Sequence, residues 1–463
     1  MLDGIAMVKV LLGLPGMDVL EVVEGDNELV VRVETTATVG WCPGCGARAQ
    51  AHDRSTRSVR DLSCFGRAVR LDVRCRRWRC REALCEMKTW TEHVEQLDAT
   101  AVLTRRAGAE ACRQVGQQAR PVAAVAREFG VCWWTVMNAV IEHGTPLVDT
   151  PDRVGTVTKL GVDETSFQAA RPGLATKYVT GLVDLERRAM IDMTPGNRAA
   201  DLRRWCANAD PAWVAKISVV ATDLAESYRA GLSPHLDHVT RVADPFHVVR
   251  VANRCMDTVR RRVQNEQLGH RGRKQDPLFK IRKILLAGSE RVTPGGANRM
   301  LLGLRAGDPN DELLGAWLAK ESVRDVFGTD DPTEAALLLD KTIAGCLADV
   351  VPEIRSLGDT LKRWRAEILA HHTTGASNGP TEGLNLLVKE IKRCGRGFEN
   401  FDHYRLRVLL RAGKPTWPNR PTHRSSEPDV PTLTRRAGLQ RNSTFSDRSR
   451  SFGCRSMWWV QAR

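Results

Sequence analysis

Between Val157 and Val242 the chain alternates short β-branched runs with helical stretches in a single order, and acids close two of the runs. Leu160-Gly161-Val162, Tyr178-Val179-Thr180-Gly181-Leu182-Val183 and Ala189-Met190-Ile191-Asp192-Met193 read as strands. A helix from about Ala199 to Ala207 follows, then the strand Ile217-Ser218-Val219-Val220-Ala221, another helix, and a short fifth strand near Val239–Val242. Three consecutive strands form an antiparallel meander, and a strand–helix–strand step implies a parallel crossover.

That order matches a ribonuclease H-like core, in which the first and fourth strands lie side by side. Asp163, in Gly161-Val162-Asp163-Glu164-Thr165, is expected at the end of the first strand, and Asp223, in Ala221-Thr222-Asp223, at the end of the fourth. Their carboxylates then meet. A third acid, Glu382, opens a helical pattern in which Pro380 suits the first turn and Asn378 or Gly379 caps it. Glu382, Asn385, Lys389 and Lys392 fall on one face of that helix. A carboxylate, an amide and two cations on one face suit a metal and a phosphate backbone; an ordinary solvated face is the alternative. Acids placed at two strand ends and a helix start suit two Mg²⁺ or Mn²⁺ ions for phosphoryl transfer. Asp244-Pro245-Phe246-His247 has two readings: an auxiliary active-site pair, or a capping aspartate followed by a helix histidine. Glu164 and Asp184 are set aside as ligands, the first pointing away from Asp163 along the strand and the second ending a strand on the opposite side.

A net charge of +14 favours a polyanionic partner, nucleic acid first. No apolar run reaches the roughly 18 residues of a membrane span, and Met7-Val8-Lys9-Val10-Leu11-Leu12 does not read as a signal peptide. Six of the 13 cysteines crowd between Cys42 and Cys85, which points to metal in a reducing, cytoplasmic setting. Cys42-x-x-Cys45 and Cys80-x4-Cys85 supply four thiolates for a closed, structural zinc site. An Arg-rich hairpin fills the gap between the pairs, and Cys64 and Cys75 are read as bystanders.

Residues 121–140 have the grammar of a helix-turn-helix. Small Ala126 permits a close crossing, and Gly130 makes the turn. Trp133, Val136, Met137 and Val140 are expected on the inner face of the second helix, with Trp134 and Asn138 outward where a recognition helix meets base edges. After Gly413, prolines scattered among Arg, Ser and Thr read as a disordered basic tail.

Val162-Asp163-Glu164-Thr165-Ser166-Phe167, Asp244-Pro245-Phe246-His247-Val248-Val249, Glu382-Gly383-Leu384-Asn385 and Arg396-Gly397-Phe398-Glu399-Asn400-Phe401 together resemble a bacterial insertion-sequence transposase of the ISL-three family. The resemblance covers about residues 10–412. It implies a DDE transposase with Asp163, Asp223 and Glu382 as the metal-binding triad, Asp244 and His247 as a D-x-x-H element, and terminal inverted repeats bound by the N-terminal modules. Two ends must be brought together, so a homodimer or larger assembly on double-stranded DNA is expected, in a bacterial cytoplasm and on its nucleoid.

The expected architecture is multidomain α+β: a zinc-binding β domain with an N-terminal hairpin (1–95), a helix-turn-helix domain (96–150) and a ribonuclease H-like α/β core in two parts (151–255 and 370–412). A helical insertion (256–369) interrupts the core, and the tail is 413–463. The insertion carries basic clusters, Arg260-Arg261-Arg262 and Arg271, Arg273, Lys274, for contact with DNA or another protomer, or serves as scaffold. Two features depart from the family pattern. The tail is longer than the pattern needs, as a readthrough or frame-altered extension would be, and the second cysteine pair encloses Arg81-Glu82-Ala83-Leu84. Two rivals remain: a catalytically inactive or domesticated DNA-binding regulator, and a nuclease or resolvase on the same fold.

Overall fold

The computed structural model describes residues 4–98 and 100–418. The first sheet contains β1 (Met17–Glu24), β2 (Glu28–Thr35), β3 (Gln50–Cys64), β4 (Arg67–Arg79) and β5 (Thr89–Thr91), ordered β1-β2-β4-β3 with β5 on the outer length of β4. The expected hairpin is β1 and β2. Less expected is the parallel pairing of β2 with β4, which sets Leu29, Val31 and Val33 opposite Val69, Leu71 and Val73. Val31, Val33, Leu71 and Val73 are buried with Met17 and Val59 in one small core. The Arg-rich hairpin is longer than its arginines suggest, because its polar first strand begins at Gln50.

Thr104 caps the helix Arg105–Gly116 by accepting from Ala107 N, and its hydroxyl donates to Asp61 Oδ1 on β3 at 2.7 Å. Arg106 also pairs with buried Asp61, so the β domain and the helices share an interface from which a polar contact cannot be removed cheaply. The helices Val122–Phe129 and Trp133–Val148 meet at Gly130, whose φ of 64° is the left-handed conformation that glycine adopts without a Cβ penalty. Val136, Met137 and Val140 are buried as expected. Trp133 is not: it is 39% exposed. It is the first residue of its helix, ahead of the turn that crosses the partner helix, and Ala139 takes a place on the buried face instead.

The second sheet contains β6 (Lys159–Gln168), β7 (Lys177–Asp184), β8 (Ala189–Pro195), β9 (Val219–Thr222) and β10 (Thr240–Ala243), in the order β10-β9-β6-β7-β8. β6, β7 and β8 form the antiparallel meander, and β9 runs parallel to both β6 and β10. Successive side chains of β6 face opposite layers. Leu160 and Val162 pack with Leu202, Tyr228 and Leu232 from the helices Ala199–Asn208 and Glu226–Leu232. On the other face Val183, Met190, Ala221 and Val242 meet Leu384, Val388, Tyr404 and Val408 of the helices Gly379–Cys394 and Phe401–Ala412. That core runs on into Val115, Val136 and Val140, so the N-terminal helices pack on the second half of the sheet domain rather than on a linker.

The helical insertion grows out of one continuous helix, Pro245–Leu268, whose first turn belongs to the core. Arg260 and Arg261 pair with Asp257, and Arg262 with Glu353, Glu312 and Glu266. This first basic cluster is neutralised by acids of the fold. Arg271, Arg273 and Lys274 are exposed. The folded chain continues past Gly413: Pro415 is buried and Trp417 packs against the core beside Gly116. The rest of the expected tail lies outside the described residues, among which no helix is long and apolar enough to cross a membrane.

Candidate active site and metal centre

The four cysteine sulfurs expected to bind zinc come together. Cys42 Sγ lies 3.7 Å from Cys85 Sγ, Cys45 Sγ lies 3.6 Å from Cys80 Sγ, and all four are within 4.8 Å of one another. Zn–S bonds of about 2.3 Å in a tetrahedron put sulfurs about 3.8 Å apart, so the set fits a zinc ion without rearrangement. Burial opposes ionisation of Cys42, but backbone N–H groups of Cys45 and Gly44 aim at its sulfur and bring the thiol down to about 7. Gly46, at φ 73°, turns the chain behind the knuckle. Cys75 is buried within β4 and Cys64 lies at the end of β3, neither of them in the cluster.

The acids converge at the other end of the chain's logic, where β6 outlasts its parallel neighbour. β9 pairs with β6 only as far as Gly161 opposite Ala221. Asp163 therefore does not end its strand. It sits mid-strand, held by β7 opposite Gly181, at the point where the parallel ladder stops and the carboxylate faces a cleft. Asp223 is the first residue past β9, and Asp244 the first past β10. Glu382 lies in the first turn of the helix Gly379–Cys394. That helix approaches β6 closely because residue 161 has no side chain: a Cβ there would lie 2.4 Å from Thr381 Oγ1 and 2.8 Å from Asn378 Oδ1.

Asp163, Asp223, His247 and Glu382 line one cleft of about 700 Å³, together with Asn385 and Lys389. His247 stands between two of the acids, its Nδ1 2.8 Å from Asp223 Oδ1 and its Nε2 3.6 Å from Glu382 Oε1. Neither approach is aligned as a hydrogen bond, so both ring nitrogens and Asp223 Oδ1 are buried and unsatisfied. Asp244 occupies the N-cap position of the helix Pro245–Leu268, but its side chain makes no capping hydrogen bond. Its Oδ1 accepts from Asn378 N at 2.7 Å, tying the end of β10 to the start of the Glu382 helix, while its Oδ2 stays buried and unpartnered. Asp244, His247 and Glu382 also offer donor atoms within 4.8 Å of one another, a set that shares Glu382 with the expected triad. Unsatisfied buried oxygens from separate elements, such as those of Asp223 and Asp244, are what a hard divalent cation takes as ligands.

Electrostatics support the same grouping. Burial, then the charge of Asp223, holds the Asp163 carboxyl up at about 6. Burial pulls His247 down, but Asp223 outweighs it and the ring is held above its ordinary value. Asn385 Nδ2 donates to Asp163 Oδ2 at 2.6 Å. Glu164 is directed to Asn197, which donates to it at 2.7 Å, and Asp184 accepts from the backbone of Glu186 and Arg187 in a turn. Lys392 spends two of its donors on Ser166, through the carbonyl at 2.7 Å and the hydroxyl at 3.0 Å, and so braces helix to strand. Arg250, not singled out from the sequence, lies 3.7 Å from Asp223 Oδ2. Its place three residues after His247 on a helix was the available signal. Trp134 and Asn138 are both exposed but line different cavities, Trp134 one beside residues 394–400 and Asn138 one beside Asp98 and Arg105.

Comparison with known proteins gives two family matches along the chain. A family model described as a transposase, of the ISL3 DDE type, matches residues 160–408. A second, described as the zinc-finger of transposase IS204/IS1001/IS1096/IS1165, matches residues 38–85. The transposase for insertion sequence element IS1001 of Bordetella parapertussis is 26% identical over 389 residues, covering 82% of this chain and 90% of its own length. The transposase for IS1557 of Mycobacterium tuberculosis strain H37Rv is 26% identical over 457 residues, covering 90% of this chain and 98% of its own. With its zinc-finger match in front and the transposase match spanning more than half of its length, the chain belongs to the ISL3 family of transposases.

Proposed function

We propose that the protein is a DDE transposase that binds the terminal inverted repeats of an insertion sequence, cleaves DNA strands and joins 3′-hydroxyls to target DNA. The observation that carries this reading is the convergence of Asp163, Asp223 and Glu382 on one cleft, with His247 between the last two. The strand order β10-β9-β6-β7-β8 supports a ribonuclease H-like core. Family membership supports the activity.

Asp163, Asp223 and Glu382 would hold Mg²⁺ or Mn²⁺, with Asp244 and His247 as auxiliary groups. Bound there, such ions activate a water or hydroxyl and stabilise charge on the phosphoryl oxygens. The chain's own residues then divide the remaining work. Asn385 fixes the Asp163 carboxylate. His247 stands between Asp223 and Glu382 and is placed to carry a proton at either ring nitrogen. Lys389 and Arg250 present cations at the mouth of the cleft, where a DNA backbone would pass, and Lys392 supports that rim through its third donor. The four-cysteine site would hold a structural zinc ion. The helix Trp133–Val148, with Trp134 and Asn138, would contact the repeats as the second helix of a helix-turn-helix. Two ends require at least two protomers.

Purified protein incubated with a mini-element bearing its own terminal repeats, in Mg²⁺ or Mn²⁺, tests the reading beside Asp223→Ala. Joined products that vanish in the variant are expected. Repeat-specific binding without cleavage by the parent protein would make it a regulator, and cleavage without joining would make it a nuclease or resolvase.

A further inference from the structure

The C-terminal end of the helix Gly379–Cys394 and the loop 395–400 lie against the helices Val122–Phe129 and Trp133–Val148, and together they enclose a cavity of about 430 Å³. Its walls carry two kinds of chemistry. Trp133 and Trp134 meet edge to face with ring centroids 4.8 Å apart, and His403 lies 6.3 and 6.1 Å from them. Trp134 is 60% exposed, a large aromatic surface that folding leaves uncovered. Beside them lies Arg407, 3% exposed, with its guanidinium carbon 5.2 Å over the Phe398 ring. Its Nε has no hydrogen-bond partner, and among the described residues no carboxylate pairs with it. Its one hydrogen bond in this environment is a long contact of 3.4 Å to Arg120 O.

A buried guanidinium without a counter-charge is unfavourable, and burial pulls Arg407 down to about 10. The fold keeps it beside uncovered aromatic rings and two further cations, Arg127 and Arg396, which line the same cavity with one carboxylate, Glu399, so that cations outnumber it three to one. A ligand that brings both a flat π-surface and an anion or carbonyl acceptor satisfies every one of these groups. The volume falls in the roughly 300–1,000 Å³ range of small-ligand sites.

We propose that this cavity receives one nucleotide of the DNA turned out of its stack, the base against Trp133, Trp134 and His403 and an acceptor oxygen on Arg407. The proposal rests on the DNA-processing function above. A stacked duplex offers base edges and phosphates to a protein surface, whereas only an unstacked nucleotide offers a base face to aromatic side chains. The loop that closes the cavity is tied to the catalytic strand: Gln168 Nε2 donates to Phe398 O at 2.9 Å. Gln168 lies five residues along β6 from Asp163, roughly 16 Å at the rise of a strand. That is about five steps of duplex, so the extruded nucleotide would lie close to the cleaved end.

The test uses the full chain and two labelled pentamers of equal charge, pentathymidylate and its abasic counterpart, read by fluorescence anisotropy. The parent protein should prefer the base-bearing strand by about ten-fold or more. The Trp133→Ala/Trp134→Ala double variant, changed at exposed positions, should bind both strands alike. Arg127→Gln should lower the salt dependence of binding by about one phosphate contact while keeping the base preference. Equal binding of the two strands by the parent, or an undiminished preference in the double variant, would overturn the nucleotide pocket. A duplex carrying the terminal repeats serves as the separate control: if the parent binds it but shows no base preference, only the pocket fails. If it binds neither duplex nor strand, the transposase reading fails with it.

Discussion

Asn385 Nδ2 donates to Asp163 Oδ2 at 2.6 Å across 222 residues of chain, joining the helix of Glu382 to the strand of Asp163. Both residues are buried, so the bond fixes the direction of a carboxylate that water does not orient. Partners of this kind typically contribute 10–100-fold to metal affinity or activity. Asn385→Ala should therefore lower strand joining by about 10–100-fold and move half-saturation by Mn²⁺ to higher concentration. A rate loss with unchanged metal dependence would assign Asn385 to some other task.

Gly161 sets how near that helix comes. A methyl group there meets Thr381 and Asn378 side chains at 2.4 and 2.8 Å, in the turn that carries Glu382. Gly161→Ala should cost about 1–3 kcal/mol of stability by overpacking. It should lower cleavage further than the small loss of folded protein explains. Urea unfolding beside the cleavage assay separates the two effects, and wild-type activity per folded molecule would show that the helix can withdraw without harm.

In chelator, the acids of the cleft repel one another. The Asp163 carboxyl sits at about 6, above an ordinary aspartate, because of burial and the Asp223 charge. The folded state thus binds this proton more tightly than the unfolded chain. Its contribution is fully present below about pH 4 and is lost as pH rises through about 6. Asp163→Asn should stabilise the metal-free protein at pH 8 by on the order of 2 kcal/mol and leave it nearly unchanged at pH 4. Thermal melts at the two pH values in chelator would reveal it, and equal shifts at both would sink the assignment.

Lys320 is fully buried in the insertion, where its ammonium donates at 2.8 Å to the carbonyls of both Leu285 and Ala287 and pairs with Glu321. These carbonyls end the helix Pro277–Leu286 and have no helical partner of their own. Lys320→Met preserves volume but strands two acceptors, while Glu321 keeps Arg324 and the backbone N–H of Ser289 as partners. A loss of roughly 2–4 kcal/mol is expected in urea unfolding. No loss would mean that water replaces the ammonium there.

The cysteine cluster makes a compositional prediction. Protein purified without chelator should carry one zinc ion per chain, and Cys42→Ser or Cys85→Ser should lose it, as measured by elemental analysis. Cys75→Ser, at a buried position outside the cluster, should keep it. Zinc retained after both cluster substitutions would place the metal elsewhere.

Much of this is legible along the chain because its causes are local. Alternation of β-branched residues places β1, β2 and β7–β10 within a few residues of where they stand, while β6 runs on to Gln168 past its expected end at Asp163, and Cys42-x-x-Cys45 closes a knuckle through its own Pro and Gly. Pro380 and Asn378 announce the helix that bears Glu382. The buried positions of the helices Val122–Phe129 and Trp133–Val148 follow from spacing, except at Trp133, whose helix had not yet reached its partner.

What local pattern cannot carry is partnership between distant segments. The parallel seat of β2 beside β4, the polar strand β3, the mid-strand place of Asp163, the diversion of Lys392 to Ser166 and of Asp244 to Asn378, and the bond from Asn385 to Asp163 all depend on how far one strand outlasts its neighbour and which helix lies over it. The sequence by itself determined which acids, thiols and cations the chain has and the elements that bear them. The tertiary structure decided which of them lose water together, because burial and charge coupling arise only when surfaces from opposite ends of the chain pack face to face.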